Sequence, residues 1–529
     1  MSKKIKKDAK KKGLPQGDHT MKSIREDRAS LIYFLSLLFV FGLTYYNIFD
    51  TKIDLNGDNA NYYVLGKALA NGKGYVNINN IEENPNNHFP PGYPAIISLV
   101  LLVFGDNLIA IKVFNGIFFI TGLLVLFNLL KKFISGNAIP FITTIFIAIN
   151  AHYLRYSTIM MTEIPFFLFT LLFFLFFIKL DSSPDFLRSR NFYLSLLMLV
   201  IAYYIKSTGI AILGAVILYS LIQKRWKLAL AYLGAFIIFF LPWFIRSQQL
   251  GGSSYVRQLM MVNPYRPELG KADAIEFFVR IFRNISRYIT REIPDSLFPF
   301  VDVNYQAKTS FTEWLLGLIV VGFIIYGLTK VPRYKWLLIS YLLGNFAILF
   351  LWPDVWIGIR FIMPIVPFLL FCLILGVHAS IGYLLAQINI KRNLNPHYYL
   401  LAAFLFFPEV QELSLNAKRD YTQNWKNYFA MAEWVDKNRP PEVVVACRKP
   451  VLFYLVSNCY TTNYMYTPNH QELLENLKEK KVDLVVLDQL GYRQTYAYLL
   501  PAIQNNEDQF KALIQLPNPD TYLLEFMPL

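Results

Sequence analysis

The chain has 529 residues, of which 55% are hydrophobic, 16% aromatic and only 16% charged, with a mean hydropathy of +0.36. Soluble domains carry about 25% charged residues, so the composition excludes an ordinary soluble globule and points to a membrane-embedded protein. The formal net charge of +15 does not argue for nucleic acid, because the excess sits in the N-terminal tail and in short connections between apolar stretches. That is the positive-inside pattern of a membrane protein.

Residues 1–28 hold ten Lys/Arg against four Asp/Glu and are expected to form a basic cytoplasmic tail. No small-residue cleavage site follows the first apolar stretch, so a signal peptide is not expected. About eleven transmembrane spans follow from hydropathy and basic flanks, near 30–48, 108–130, 138–152, 162–178, 191–206, 208–222, 228–245, 311–329, 336–351, 361–387 and 397–410. With the N-terminus inside, the cytosolic connections are 131–132, 179–190, 223–227, 330–335 and 391–392, and each carries Lys or Arg. An odd number of spans then leaves the C-terminus outside.

Two external loops are long, at 49–107 and 246–310. In the first, 58–71 reads as a short interfacial helix and 77–87 as loop. In the second, 271–293 repeats apolar residues at helical spacing, with Arg280, Arg283, Arg287 and Arg291 three or four residues apart on one face. Such a helix lies in the interface, where its arginines either contact lipid phosphates or snorkel to water.

From about Tyr421 the pattern changes to helices alternating with β-branched runs: a helical stretch around Trp425, Phe429, Ala432 and Val435, then 443–447, helical 471–480, 482–488 and 522–526. Residues 411–529 are therefore expected to form a small extracytoplasmic α/β domain, with no GxGxxG or P-loop to bind a nucleotide. Cys447 and Cys459 lie within it, either as a disulfide or as two buried thiols.

Carboxylates are avoided at the hydrocarbon boundary unless they have a use. Two stand there on the external side: Asp58, after the first span, and Glu163, at the start of the fourth. They suit a general base and its orienting partner, or the N-cap and first-turn acids of two helices. Basic residues His88, Arg155, Lys206, Arg246 and Arg360 fall at external span ends, where they either anchor helices or meet a phosphate leaving group. Asp58, Glu163 and His152 leave open a divalent-metal site, although their spacing is not diagnostic. No cofactor is otherwise indicated.

The stretches GDNANYYVLGKALANGKGY (57–75), HFPPGYP (88–94), MTEIP (161–165), KSTG (206–209), LPWFIR (241–246) and RFIMPIVP (360–367) follow one another in an order that resembles the GT-C glycosyltransferases. The resemblance is to the branch of protein O-mannosyltransferases and lipid A aminoarabinose transferases, over about 50–370. It implies a polytopic α-helical membrane enzyme of GT-C-like fold that moves a sugar from a polyprenyl-phosphate donor to an extracytoplasmic hydroxyl with inversion. The acceptor is a lipid, a glycan or a protein. Asp58 matches the first-loop acid that acts as base in these enzymes, and Glu163 the second acid; relatives often have two adjacent acids in the first loop, whereas position 59 here is Asn. His88, Arg246 and Arg360 match basic residues on the donor side; Arg155, Lys206, Tyr62 and Tyr93 are further candidates to bind the donor phosphate and sugar, and Arg280, Arg283 and Arg287 would meet interfacial lipid phosphate. The location expected is a bacterial inner membrane. The alternative is a transporter or flippase of a lipid-linked sugar, which would place its polar site nearer the bilayer midplane and between inverted repeats; no repeat is visible in the sequence.

Overall fold

The computed structural model describes residues 16–528 apart from 56, 182–184, 267–268 and 391–393. The first half of the expected tail and the basic connection at 391–392 lie outside the described residues.

Helix α1 (Gln16–Ile48) reaches back into the expected tail, and its apolar part, Ala29–Ile48, is long enough to cross a membrane. The first external loop is more structured than expected. It holds α2 (Gly57–Ala70) and also α3 (Gly92–Phe104), a 13-residue apolar helix in what reads as loop. Helix α4 (Leu108–Phe133) follows, capped by the Asn107 side chain, which accepts from Ala110 N. Next, α5 (Ala138–Ala148) fills most of the expected span 138–152, and α6 (Ala151–Ser157), bent from it by 61°, runs past its expected end. Asn150 makes the break: its side chain accepts from His152 N and Tyr153 N, ending one helix and starting the next.

Helix α7 (Glu163–Asp181) is a buried span. The shorter apolar helices α8 (Arg190–Ile205) and α9 (Ile210–Ile222) are joined by a tight turn, and α10 (Trp226–Gln249) is again of crossing length. The second external loop contains α11 (Ser254–Leu259), α12 (Ala274–Arg287), a π-helical turn and α13 (Ile293–Leu297). Then come α14 (Phe311–Lys330), α15 (Lys335–Leu351) and α16 (Val366–Gln387). The last expected span is a 3₁₀ stretch, Pro396–Phe406, running into α17 (Phe407–Lys418). At about 2.0 Å rise per residue, that coil covers more length than an α-helix of equal size.

Among the described residues, six helices are long and apolar enough to cross a membrane, with the bent pair as a seventh and four shorter apolar helices beside them. Helices α14 and α16 cross at Gly327 and Gly376, where backbone meets backbone; a Cβ on either would collide with a carbonyl of the other helix.

The bundle has two chemically distinct ends. At one, Lys131 Nζ donates to Ser30 Oγ (3.0 Å) and Arg333 Nη2 to Ser135 Oγ (3.1 Å), bringing two of the basic connections together. At the other end of α4, Lys112 Nζ donates to Asp50 O (2.7 Å), beside the first external loop.

The C-terminal part is the expected α/β unit. Helix α18 (Gln423–Asn438) precedes β1 (Val444–Ala446), α19 (Pro450–Ser457), β2 (Tyr460–Thr462), α20 (His470–Glu479), β3 (Leu484–Leu487), α21 (Leu500–Gln504), β4 (Phe510–Leu516) and β5 (Thr521–Phe526). The sheet order is β2-β1-β3-β5-β4, with β1, β2 and β3 parallel and β5 antiparallel to both of its neighbours. Cys447 and Cys459 are buried free thiols, so of the two readings the unpaired one is found.

This unit is seated on the first external loop. Ala60 of α2 is buried in the same core as Trp425, Tyr428, Leu452 and Phe453. Tyr421 Oη donates to Ile53 O (2.9 Å), and Thr461 N donates to Asn79 O (2.7 Å).

Candidate active site

Four charged side chains meet where α2, α7, the end of α8 and the turn before α16 converge. Asp58 lies in the first turn of α2, where the helix dipole favours an acid. Glu163 opens α7 and is fully buried. Lys206 ends α8 and begins the tight turn to α9. Arg360 sits in a one-turn 3₁₀ helix, Ile359–Phe361, after Gly358, whose φ of 117° redirects the chain toward the cluster.

Arg360 joins the two acids. Its Nη1 donates to Asp58 Oδ2 at 2.8 Å, and its Nε donates to Glu163 Oε1 at 3.2 Å. Lys206 Nζ donates to the same Glu163 oxygen at 3.0 Å and to Arg360 O at 3.3 Å. Two carboxylates and two cations cancel, which lets a charged group persist where water is scarce. Asp58 is the more open acid, about a third exposed, while Glu163 is sealed behind it.

Aromatic residues wall the cluster. Tyr62, one turn along α2 from Asp58, packs edge-on against Phe89 and Tyr93. Tyr93 stands behind it, its hydroxyl donating to Asn115 Oδ1 at 3.2 Å. His88 stacks on Tyr255 at 4.8 Å, and its Nδ1 lies 2.9 Å from Ser254 Oγ. Burial pulls His88 below the ordinary imidazole value, against the opposing pull of Asp58, so at neutral pH it is an N–H donor rather than a cation. Burial, with Asp58 adding, pushes the Tyr255 hydroxyl up to about 12.

The remaining expected residues lie elsewhere. Arg155 is 3.7 Å from Asp54, beside a cleft of about 280 Å³ lined also by Lys52 and Thr158. Arg246 donates to Asn86 O (2.9 Å) and Tyr75 O (3.3 Å), and its guanidinium lies against the Tyr75 and Trp243 rings; it pins the first loop to α10. His152 is held by Asp295 at 3.1 Å, and Asp295 also accepts from Tyr305 Oη at 2.8 Å.

That arrangement does not fit the metal site left open by the sequence. Arg360 bridges Asp58 and Glu163, His152 has another partner, and among the described residues no three His, Cys, Asp or Glu are grouped to hold a metal.

Helix α12 turns Arg280 and Arg287 inward and leaves Arg283 exposed. Arg280 is buried and donates to Leu259 O (2.9 Å), Met261 O (2.7 Å) and Leu351 O (3.3 Å). Arg283 pairs with Asp354 (3.1 Å), and Arg287 with Glu292 (2.6 Å) and Trp356 O (3.3 Å). The exposed face is apolar, with Ile275, Phe278 and Phe282. Asp54, Tyr255 and Ser254 escaped the sequence reading. Only their positions in the two external loops could have pointed to them.

Residues 88–245 match the family described as dolichyl-phosphate-mannose-protein mannosyltransferase. The matched stretch includes His88, Glu163 and Lys206, with Asp58 and Arg360 outside it. No curated protein sequence matches the chain. Among solved structures, an oligosaccharyltransferase from Archaeoglobus fulgidus, in complex with Zn and sulfate, aligns with a TM-score of 0.57 at 12% identity, over 93% of this chain and 73% of that one. ArnT from Cupriavidus metallidurans, bound to undecaprenyl phosphate, aligns with a TM-score of 0.56 at 12% identity, over 94% of this chain and 97% of its own. The chain therefore has the GT-C fold, as its motif order implies.

Proposed function

We propose that this protein is an integral membrane glycosyltransferase that moves a sugar from a polyprenyl-phosphate donor to an acceptor hydroxyl outside the membrane. Asp58 takes the proton of the acceptor hydroxyl. The acceptor oxygen bonds to the anomeric carbon from the face opposite the phosphate, the bond from that carbon to the phosphate oxygen breaks, and the electron pair leaves with the lipid phosphate. The anomeric configuration inverts.

The observation that carries this reading is the contact of Asp58 with Arg360 at 2.8 Å, within a charge-balanced cluster at one end of a GT-C bundle. Arg360 orients the base and offers its guanidinium to the leaving phosphate, with His88 as a neutral hydrogen-bond donor beside it. Glu163 and Lys206 hold Arg360 in place. All four groups lie at helix ends on one side of the bundle, where an alternating-access transporter would use the midplane. The likeness to ArnT bound to undecaprenyl phosphate supports the donor class, and the location proposed is a bacterial inner membrane with the cluster on its outer side.

The test is to reconstitute the protein in vesicles with a radiolabelled polyprenyl-phosphate sugar and a membrane extract as acceptor source. Transfer predicts release of free polyprenyl phosphate and appearance of label in a new product. Donor that crosses the bilayer but is recovered intact would refute the enzyme reading in favour of a flippase.

A further inference from the structure

The C-terminal unit contains a second cluster of chemistry-bearing side chains. Parallel strands β1 and β3 are neighbours, pairing Val445 with Leu484 and Ala446 with Val485. In such sheets ligands collect beyond the carboxyl ends of the strands. The chain leaves β1 through Cys447 into Arg448 and Lys449, and it leaves β3 into Asp488.

Beyond those strand ends, the Arg448 guanidinium lies 4.3 Å from the Tyr492 ring and 5.5 Å from the Tyr466 ring. Its Nη2 donates to Gln494 Oε1 at 3.3 Å. The Lys449 ammonium is 4.7 Å from the same Tyr492 ring. Neither cation has a carboxylate within ion-pair distance among the described residues. Asp488 is fully buried next to them: Oδ1 accepts from Leu490 N at 3.1 Å, while Oδ2 has no hydrogen-bond partner, and neither has Arg448 Nε. Burial pushes the Asp488 carboxyl up to about 6. A buried acid with an unused acceptor oxygen costs stability, and proteins retain such groups where a ligand uses them.

The Lys449 end of the cluster reaches the residue before the proposed base. A Cβ placed on Gly57, the residue before Asp58, would lie 4.0 Å from Lys449 Nζ. Aromatic faces, a forked cation and a buried acceptor oxygen are the elements that stack on a sugar ring and read its hydroxyls. Two cations without a paired acid add a preference for negative charge.

We propose that Arg448, Lys449, Tyr466, Tyr492 and Asp488 form the acceptor subsite, and that the acceptor is a saccharide carrying a phosphate or carboxylate group. This rests on the reading of Asp58 as the base, because proximity to Asp58 is what makes the ligand an acceptor. The acidic sugar stacks on Tyr492 and Tyr466, its anionic group meets Arg448 and Lys449, and Asp488 accepts a hydroxyl hydrogen. The hydroxyl that reacts is thereby brought to the first turn of α2.

The test reads binding without donor, so it is independent of turnover. Full-length protein in phosphatidylcholine nanodiscs is examined by saturation-transfer NMR with glucose 1-phosphate, glucuronate, glucose and inorganic phosphate as separate probes. The proposal predicts transfer to the ring protons of the two acidic sugars, with glucose bound roughly tenfold more weakly. Arg448→Gln and Lys449→Gln, each checked for unchanged thermal unfolding, should weaken the acidic sugars by a similar factor, and Asp58→Asn should leave them bound.

Equal binding of glucose, or binding unchanged in both cation variants, would overturn the subsite. Displacement of glucose 1-phosphate by inorganic phosphate at equal concentration would reduce it to a phosphate site. Displacement by phosphatidylglycerol in the nanodisc would make it a lipid headgroup site. Acidic-sugar binding without donor consumption would refute the transferase reading and the acceptor role but leave the saccharide site. Donor consumption without acidic-sugar binding would do the reverse.

Discussion

Arg360 holds the proposed base in place, and Glu163 holds Arg360. The Glu163 carboxylate is sealed from solvent between Lys206 and Arg360, so its charge offsets two cations that would otherwise repel each other. Removing one partner from a buried ionic group costs about 3–5 kcal/mol, because the charges left behind are desolvated and unpaired. Glu163→Gln should therefore lower the thermal unfolding temperature of the purified protein markedly. An unfolding temperature equal to that of the unaltered protein would show that the pairing is not structural.

The four members of this cluster were legible in the sequence because charge at an apolar boundary is expensive and so stands out. Their partners were less so. Tyr255 lies in a polar loop where such a residue is ordinary, and only the fold brings it near Asp58, while Asp54 pairs with Arg155 instead. Arg246 and His152 look like cluster members by position, yet the rings of Tyr75 and Trp243 hold the first and Asp295 the second.

Among elements, α12 illustrates what periodicity can and cannot tell. The spacing of Arg280, Arg283 and Arg287 places them on one face but does not say where that face points. In water it would turn outward; here the apolar face with Phe278 and Phe282 is exposed and Arg280 serves backbone carbonyls. Helix α3 escaped notice because 13 apolar residues are too few to read as a span and lie within a loop otherwise rich in Asn and Gly. In the C-terminal sheet, β1, β3 and β5 are apolar runs and could be read directly. Strand β2 is only Tyr-Thr-Thr, and β4 lies at the edge with exposed positions, so neither carries a strong pattern.

The α14–α16 crossing depends on the absence of side chains. A Cβ on Gly327 would collide with Cys372 O, a backbone atom that cannot step aside. Overpacking costs typically 1–3 kcal/mol, and Gly327→Leu should exceed a typical case because the obstacle is the main chain. The expected outcome is a lower unfolding temperature in detergent and poorer recovery from membranes. Gly322→Leu, on the same helix with open space around it, is the control and should leave both unchanged.

At the scale of the whole molecule, the C-terminal unit, the first external loop and the membrane bundle make one continuous structure around α2. Ala60, on the helix that carries Asp58, is part of the core of the α/β unit, while Tyr62 on the same helix packs into the bundle core. The proposed base thus stands on the element shared by the membrane part, where a lipid-linked donor would arrive, and the soluble part, where an acceptor would dock. Lys131 and Arg333, from two of the basic connections, lie together at the opposite end of the bundle, as the positive-inside rule expects of a cytosolic face. This arrangement predicts that the chemistry happens on the side of the membrane away from the basic loops.

The central claim is that Asp58 removes the acceptor proton. Asp58→Asn keeps the shape of the side chain and a hydrogen-bond acceptor for Arg360 but cannot take a proton. With a radiolabelled polyprenyl-phosphate sugar, the variant should bind donor with unchanged affinity and transfer it about 10²–10⁴-fold more slowly, the range that general-base catalysis contributes. Transfer at the unaltered rate with donor bound normally would contradict the account.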